Sequence, residues 1–404
     1  MEPQHLTDGR YRWILIIAAF VIMMIISIYQ YSWFLFAFAL KKQFSWTLSA
    51  IGLTFTVFTY SATFIQPFSG YIADCYGPRK VAFTASILVG IGLLLCSTAT
   101  TPLVLYIFYG LGGIGVGILY GISAACAIKW FPDRRGLATG LVVFGFGAGT
   151  AIFNIFIQRL LETKGLQTTW VYLGILMLLF LIPLCLLYKY PDQNPASSKN
   201  TNPGAEAVSA DYKPLEMLKT YQWYLIYFSF TFTVSIVLMF GAQMKMVARE
   251  FNLPSGYFKV LLVLFPLGNG LSRVVAGFIS DKIGREKTMV VFYTLLGLSI
   301  LCFVTFAHIH LLFVVIVFIA ALLGGAPFAL YPATIGDYYG ARYSTTNYGI
   351  TYTAKAFAGL ISGWLSGYLV MQFGSYRLPL IFVAICSLIA SIVSLPVFMK
   401  APKR

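Results

Sequence analysis

Apolar runs long enough to cross a bilayer recur twelve times along this chain, and that recurrence limits its fold more than any motif. Their approximate limits are 13–40, 47–73, 81–99, 102–128, 137–158, 168–189, 221–246, 256–280, 288–307, 310–336, 347–372 and 377–399. A helix needs about 20 apolar residues to cross a hydrocarbon core about 30 Å thick. Within lipid the backbone must satisfy its own hydrogen bonds, so runs of this length read as helices and not as loops or open sheets. Composition agrees: 59% of residues are hydrophobic and only 10% charged, against about 25% charged in an ordinary soluble domain. A soluble globular enzyme and a disordered chain are excluded, and a nucleic-acid partner is not expected despite the net charge of +15. An all-α membrane protein with twelve transmembrane helices is the fold class that remains.

The polar segment Tyr190–Thr220, which contains PDQNPASSKNTNPGAEAVSAD, lacks apolar periodicity and reads as a linker. It divides the chain into an N-terminal six-helix half (1–189), a linker (190–220) and a C-terminal six-helix half (221–404). With twelve spans in place, 18 of the 28 basic residues fall on the side that holds both termini, and eight on the other. The positive-inside rule makes the richer side cytoplasmic, which predicts a multi-pass protein of the cell (inner) membrane with both termini inside. The first apolar run is longer than a signal-peptide core, so no cleaved leader is expected. The six cysteines are scattered without metal or disulfide spacing, and His308 and His310 stand alone in a short loop. No metal, cofactor or catalytic triad is predicted; the expected partners are a small solute and the lipid bilayer, and the expected state is monomeric.

The two halves repeat. GYIADCYGPRK (Gly70–Lys80) follows the second span and GFISDKIGREK (Gly277–Lys287) the eighth, at an offset of 207 residues; Arg135 and Arg342 stand at the same offset. Repeats of six spans suit a secondary transporter whose substrate site lies between them near the membrane midplane. Asp74 and Asp281 can accept hydrogen bonds from the start of a neighbouring helix or pair with Arg or Lys. Gly77 and Gly284 permit tight turns. Together with Arg79 and Arg285 these residues are candidate gating loops, or else simple topology-setting charge. The doubled loop resembles that of the major facilitator superfamily. The segments QYSWFLFA (Gln30–Ala37), KWFPDRRGLATG (Lys129–Gly140), SDKIGREKTM (Ser280–Met289) and NYGITYTAK (Asn347–Lys355) are similar to the oxalate:formate antiporter family. That resemblance implies a 6+6 pseudo-symmetric major facilitator fold and a substrate site in which an Arg of the eighth span and a Lys of the eleventh bind a carboxylate. The matching residues are Arg273 and Lys355.

The residues point the same way without the resemblance. Arg273 and Lys355 are the two basic residues left inside spans, each eight residues from a cytoplasmic end, or about 12 Å deep at 1.5 Å per residue. A central Arg or Lys costs roughly 2.5–3.5 kcal/mol on insertion scales. All 13 acidic residues fall in loops, tails or span ends, so the expected counter-charge is the substrate, an organic anion. Tyr120, Phe146 and Phe328 reach a similar depth, and Gln30 and Tyr31 crowd the first span; each is a candidate substrate contact or an ordinary core residue. Glycines in the fourth, fifth and eleventh spans are candidate sliding surfaces or static close packing.

Relative to the resembled family, Gln30, Tyr31, Tyr120, Arg273 and Lys355 match the substrate cage. Phe146 and Phe328 stand where that family has Tyr, and Gly324 and Tyr352 where it has Trp. A wider, less polar cavity is expected, suited to lactate, pyruvate or a short dicarboxylate more than to oxalate. The predicted function is exchange of small organic carboxylates by alternating access. The alternative is a proton-coupled monocarboxylate symporter; such carriers usually place an Asp four residues before the Arg of span eight, where this chain has Asn269.

Overall fold

A computed structural model describes residues 4–46, 48–191 and 211–402. Most of the predicted linker, 192–210, lies outside the described residues. Among the described residues, seventeen α-helices run in chain order: α1 (Gln4–Tyr31), α2 (Trp33–Phe44), α3 (Leu48–Phe64), α4 (Gln66–Tyr76), α5 (Pro78–Cys96), α6 (Pro102–Trp130), α7 (Arg135–Leu186), α8 (Pro214–Met217), α9 (Tyr221–Glu250), α10 (Ser255–Ile283), α11 (Arg285–Phe306), α12 (His310–Gly324), α13 (Pro327–Tyr339), α14 (Ser344–Tyr352), α15 (Ala354–Leu360), α16 (Ser366–Phe373) and α17 (Arg377–Val393). A π-helical turn, Ile361–Leu365, joins α15 to α16.

Spans and helices correspond, but not one to one. The fifth and sixth spans fuse into α7, where Gly165 alone leaves helical geometry at φ 79°. Other spans break inside: the first at Ser32, the second at Ile65, the tenth at Gly325–Ala326, and the eleventh at Thr353 and again at the π turn. Among the described residues, eight helical stretches are long and apolar enough to cross a bilayer, two of them, Tyr11–Phe44 and His310–Tyr339, running across a break. The fifth and twelfth spans fall on the shorter apolar helices Arg135–Gly147 and Arg377–Val393, and the second and eleventh on broken helices. Turn chemistry sets the ends. Gly77 (φ 89°) and Gly284 (φ 97°) adopt the same positive-φ conformation at equivalent places of the repeat, one that disfavours any side chain. Pro78 then opens α5 at a position where its missing N–H is not needed.

The chain forms two compact units. The first comprises Met1–Asp133, Leu141–Val208 and Ala341–Ile350; the second comprises Arg134–Gly140, Ser209–Gly340 and Thr351–Arg404. In the first, the glycine-rich α6 is the hub. A methyl group on Gly117 would run into the Ala62 carbonyl, one on Gly112 into the Tyr29 ring, and one on Gly115 would stand 2.5 Å from the Ala85 carbonyl. Glycine is therefore a condition of the approach of α1, α3 and α5. Tyr29, Phe58 and Tyr109 fill the centre, with the Tyr29 hydroxyl donating to Val89 O (2.7 Å) and that of Tyr109 to Tyr29 O (2.6 Å). In the second unit, α9, α11, α12 and α17 enclose an apolar cluster that includes Phe240, Leu296, Phe303, Phe313 and Val383.

Candidate functional site

Both intramembrane cations lie in the second unit and both are buried. Arg273, in α10, is 1% exposed, and Lys355, at the start of α15, is 6% exposed. Helical spacing holds Arg273 from one turn earlier: its Nη2 donates to Asn269 Oδ1 at 3.1 Å. Its guanidinium carbon stands 4.8 Å from the centroid of Phe328. Lys355 follows the break at Thr353; its Nζ donates to the Tyr352 hydroxyl at 3.1 Å and lies 5.3 Å from that ring's centroid. The rings of Phe328 and Tyr352 are 6.4 Å apart, and Phe230 touches both, at 5.9 and 6.1 Å. Each cation thus lies against one of two neighbouring rings. Aromatic faces attract each charge by about 0.5–2 kcal/mol, and Arg273 and Lys355 lie within Coulombic reach of each other.

Of the residues singled out in the sequence, Arg273, Lys355, Phe328 and Tyr352 lie in this cluster. The sequence missed Phe230, which the same depth rule applied to the seventh span would have found, nine residues past Tyr221. It also treated Asn269 only as a missing Asp, whereas the amide holds the guanidinium.

The remaining candidates gather in the first unit. Tyr31 meets Phe146 edge-on at 5.4 Å, and Tyr120 meets the same ring at 5.2 Å with the planes 86° apart. Tyr120 and Phe146 are buried, while Gln30 and Tyr31 are half-buried at the end of α1. Just beyond, Ser32 donates to Asn154 Oδ1 at 2.6 Å where the first span breaks. One expectation fails. Gly324 does not widen a cavity, because a side chain there would run directly into Val237; the volume is already filled by a β-branched neighbour on α9. Gly359 also departs from the close-packing reading, since a methyl group there would meet nothing within 4 Å.

The two loop motifs form matching caps. Asp74 accepts from the N–H and hydroxyl of Thr346, both at 2.8 Å, at the start of α14. Asp281 accepts from the N–H groups of Gly136 (3.0 Å) and Leu137 (2.8 Å) at the start of α7. Helix N-termini favour an anion at such positions. Their ion pairs differ. Asp74 binds Lys129 at 3.0 Å with both side chains buried, and Lys129 also donates to Arg342 O (2.9 Å) and lies over the Tyr190 ring at 4.3 Å. Burial, with the nearby Asp74 carboxylate, pushes the Tyr190 phenol well above its usual range. Asp281 binds Arg285 at 2.5 Å, and Asp337 holds both Arg285 (2.8 Å) and Arg135 (2.6 Å). Arg79 does not join the Asp74 cluster; it is exposed and donates to Tyr188 O at 3.4 Å. The sequence marked Asp337 only as a charge at the cytoplasmic end of the tenth span, and its equivalent in the first repeat is Trp130, so symmetry could not have flagged it.

Known proteins give this geometry a family context. The profile of the Major Facilitator Superfamily matches residues 15–245 and 226–404. The oxalate:formate antiporter of Oxalobacter formigenes is 32% identical over 94% of this chain and 90% of its own length. Monocarboxylate transporter 13 of Rattus norvegicus is 25% identical over 91% of this chain and 85% of its own. Among solved structures, a proton:xylose symporter aligns with TM-score 0.74 at 15% identity, covering 98% of this chain and 97% of that one, which bears on the fold alone.

Proposed function

The chain belongs to the major facilitator superfamily, a multi-pass membrane transporter of a small molecule and not an enzyme, and we propose that it exchanges small organic carboxylates across the cell membrane by alternating access. The observation that carries this reading is the pair of buried cations, Arg273 and Lys355, each against one of two neighbouring rings, Phe328 and Tyr352. Arg presents a planar fork that matches a carboxylate, and Lys adds a compact charge on a flexible stem. Both repel cations. Gln30, Tyr31, Tyr120, Phe146, Phe328 and Tyr352 are the proposed contacts for the body of the substrate. The names of the oxalate:formate antiporter and of monocarboxylate transporter 13, both carboxylate carriers, lend the reading support. Domains at 1–189 and 221–404 with a linker at 190–220, cytoplasmic termini and a monomeric state complete the proposal. In it, the Asp74 and Asp281 caps form and break during the cycle.

The test is counterflow in proteoliposomes loaded with unlabelled carboxylate, with a panel of labelled organic acids outside. Uptake into loaded vesicles with slow entry into empty ones is expected. Entry of no carboxylate would overturn the reading. Strong stimulation of entry into empty vesicles by a pH gradient would replace exchange by proton-coupled symport.

A further inference from the structure

The repeat assigns a role to a residue that no comparison of motifs singles out. Subtracting the offset of 207 from Arg273 gives Gln66, and from Phe328 gives Gly121. Both pairs meet in the same way, each within its own unit: Arg273 lies against the Phe328 ring at 4.8 Å, and Gln66 faces Gly121, whose absent side chain would start 3.5 Å from Gln66 Oε1. Gln66 also stands eight residues before Asp74, as Arg273 does before Asp281. The second repeat thus fills this place with a cation under an aromatic ring. The first fills it with a neutral amide beside a glycine.

The amide's orientation is fixed. Gln66 Nε2 donates to Ala62 O at 3.4 Å, and only the NH2 end of an amide can face a carbonyl. Oε1 is therefore the end turned to Gly121, and it is a buried acceptor with no hydrogen-bond partner, in a residue 2% exposed. Buried polar groups are rarely left so without reason. Gln66 is moreover the first residue of α4 and is followed by Pro67, which lacks the N–H that would continue the helical ladder.

We propose that Gln66 Oε1 is a substrate ligand that selects carboxylates carrying a hydroxyl. An acceptor demands a donor. At neutral pH acetate, formate, oxalate and pyruvate offer none beside the carboxylate, whereas a hydroxy acid offers its O–H. This rests on the carboxylate-exchange reading and narrows it to donor-bearing acids. A site built to bond a substrate hydroxyl rejects the analogue lacking it far more strongly than an apolar pocket rejects a missing methylene.

The experiment compares glycolate with acetate in exchange by the full-length protein in proteoliposomes. The wild type should carry glycolate at least about tenfold better in kcat/KM. Gln66→Met, of similar length but without the acceptor, should bring the two acids together, lowering glycolate exchange and raising acetate exchange, because acetate then leaves no buried acceptor unpaired. Equal wild-type rates for the two acids, a test that needs no variant, would overturn the inference while leaving carboxylate exchange intact. So would an equal loss of both acids in well-folded Gln66→Met, which marks a packing role. Exchange of neither acid by the wild type would overturn the carboxylate reading and this one with it.

Discussion

Replacing Asp74 by Ala removes the 3.0 Å ion pair to Lys129 and both 2.8 Å bonds from Thr346 in one step. The Asp74 side chain is 0% exposed and that of Lys129 4%, so water cannot take over as partner. Breaking a buried pair from one side costs about 3–5 kcal/mol. Lys129 would retain the Arg342 carbonyl and the face of Tyr190, which puts the loss near the lower end, about 3 kcal/mol. Lys129→Met should cost less, about 1–2 kcal/mol, because Asp74 would keep both Thr346 donors and the N-terminus of α14. The double variant removes both charges together. Its loss should therefore fall below the sum of the single losses by at least about 1 kcal/mol. Equilibrium unfolding of the four proteins in mixed micelles, followed by circular dichroism, measures this coupling. Strictly additive losses would refute the reasoning, since they would mean that the two charges do not depend on each other.

Asp281→Ala should destabilise less than Asp74→Ala in the same assay, because Arg285 keeps Asp337 at 2.8 Å; a larger loss would contradict the comparison. Arg273→Ala and Lys355→Ala should each abolish carboxylate exchange while leaving the folded yield and circular dichroism unchanged, and retained exchange in both would place the substrate elsewhere. Arg273→Lys should also lose exchange, measured by counterflow, because it keeps the charge and loses the fork. Gly117→Ala should cost about 1–3 kcal/mol through overpacking against the Ala62 carbonyl. Gly359→Ala, facing open space, should be neutral or stabilising by up to about 1 kcal/mol, and both are read by thermal melting.

The long apolar runs were legible because a bilayer leaves the backbone no alternative to a helix. The breaks at Ser32, Ile65 and Thr353 were not, since an interrupted span keeps the hydrophobicity of a continuous one. Arg273 and Lys355 stood out because a charge inside such a run is rare, and depth counting found Tyr120, Phe146 and Phe328 because depth depends only on helical rise. Azimuth around the helix is what depth omits. Tyr29, next to Tyr31, turns away to bond Val89 and pack on Phe58. Gly324 faces Val237. For the same reason the partner of Asp74 could not be read: Arg79 is near in sequence, but Lys129, 55 residues away, reaches the carboxylate.

Two like charges within reach of each other, both buried, also bear on why exchange is favoured over net uptake in the proposed cycle. Occlusion strips water from charged groups, and that loss is offset only by new partners. The aromatic faces of Phe328 and Tyr352 and the amide of Asn269 help each cation separately, but none of them is an anion, so none cancels the repulsion between Arg273 and Lys355. A carboxylate bound to both would. The loaded carrier then has a lower barrier to occlusion than the empty one, and a difference between those two states is what a ligand must supply to drive a conformational change.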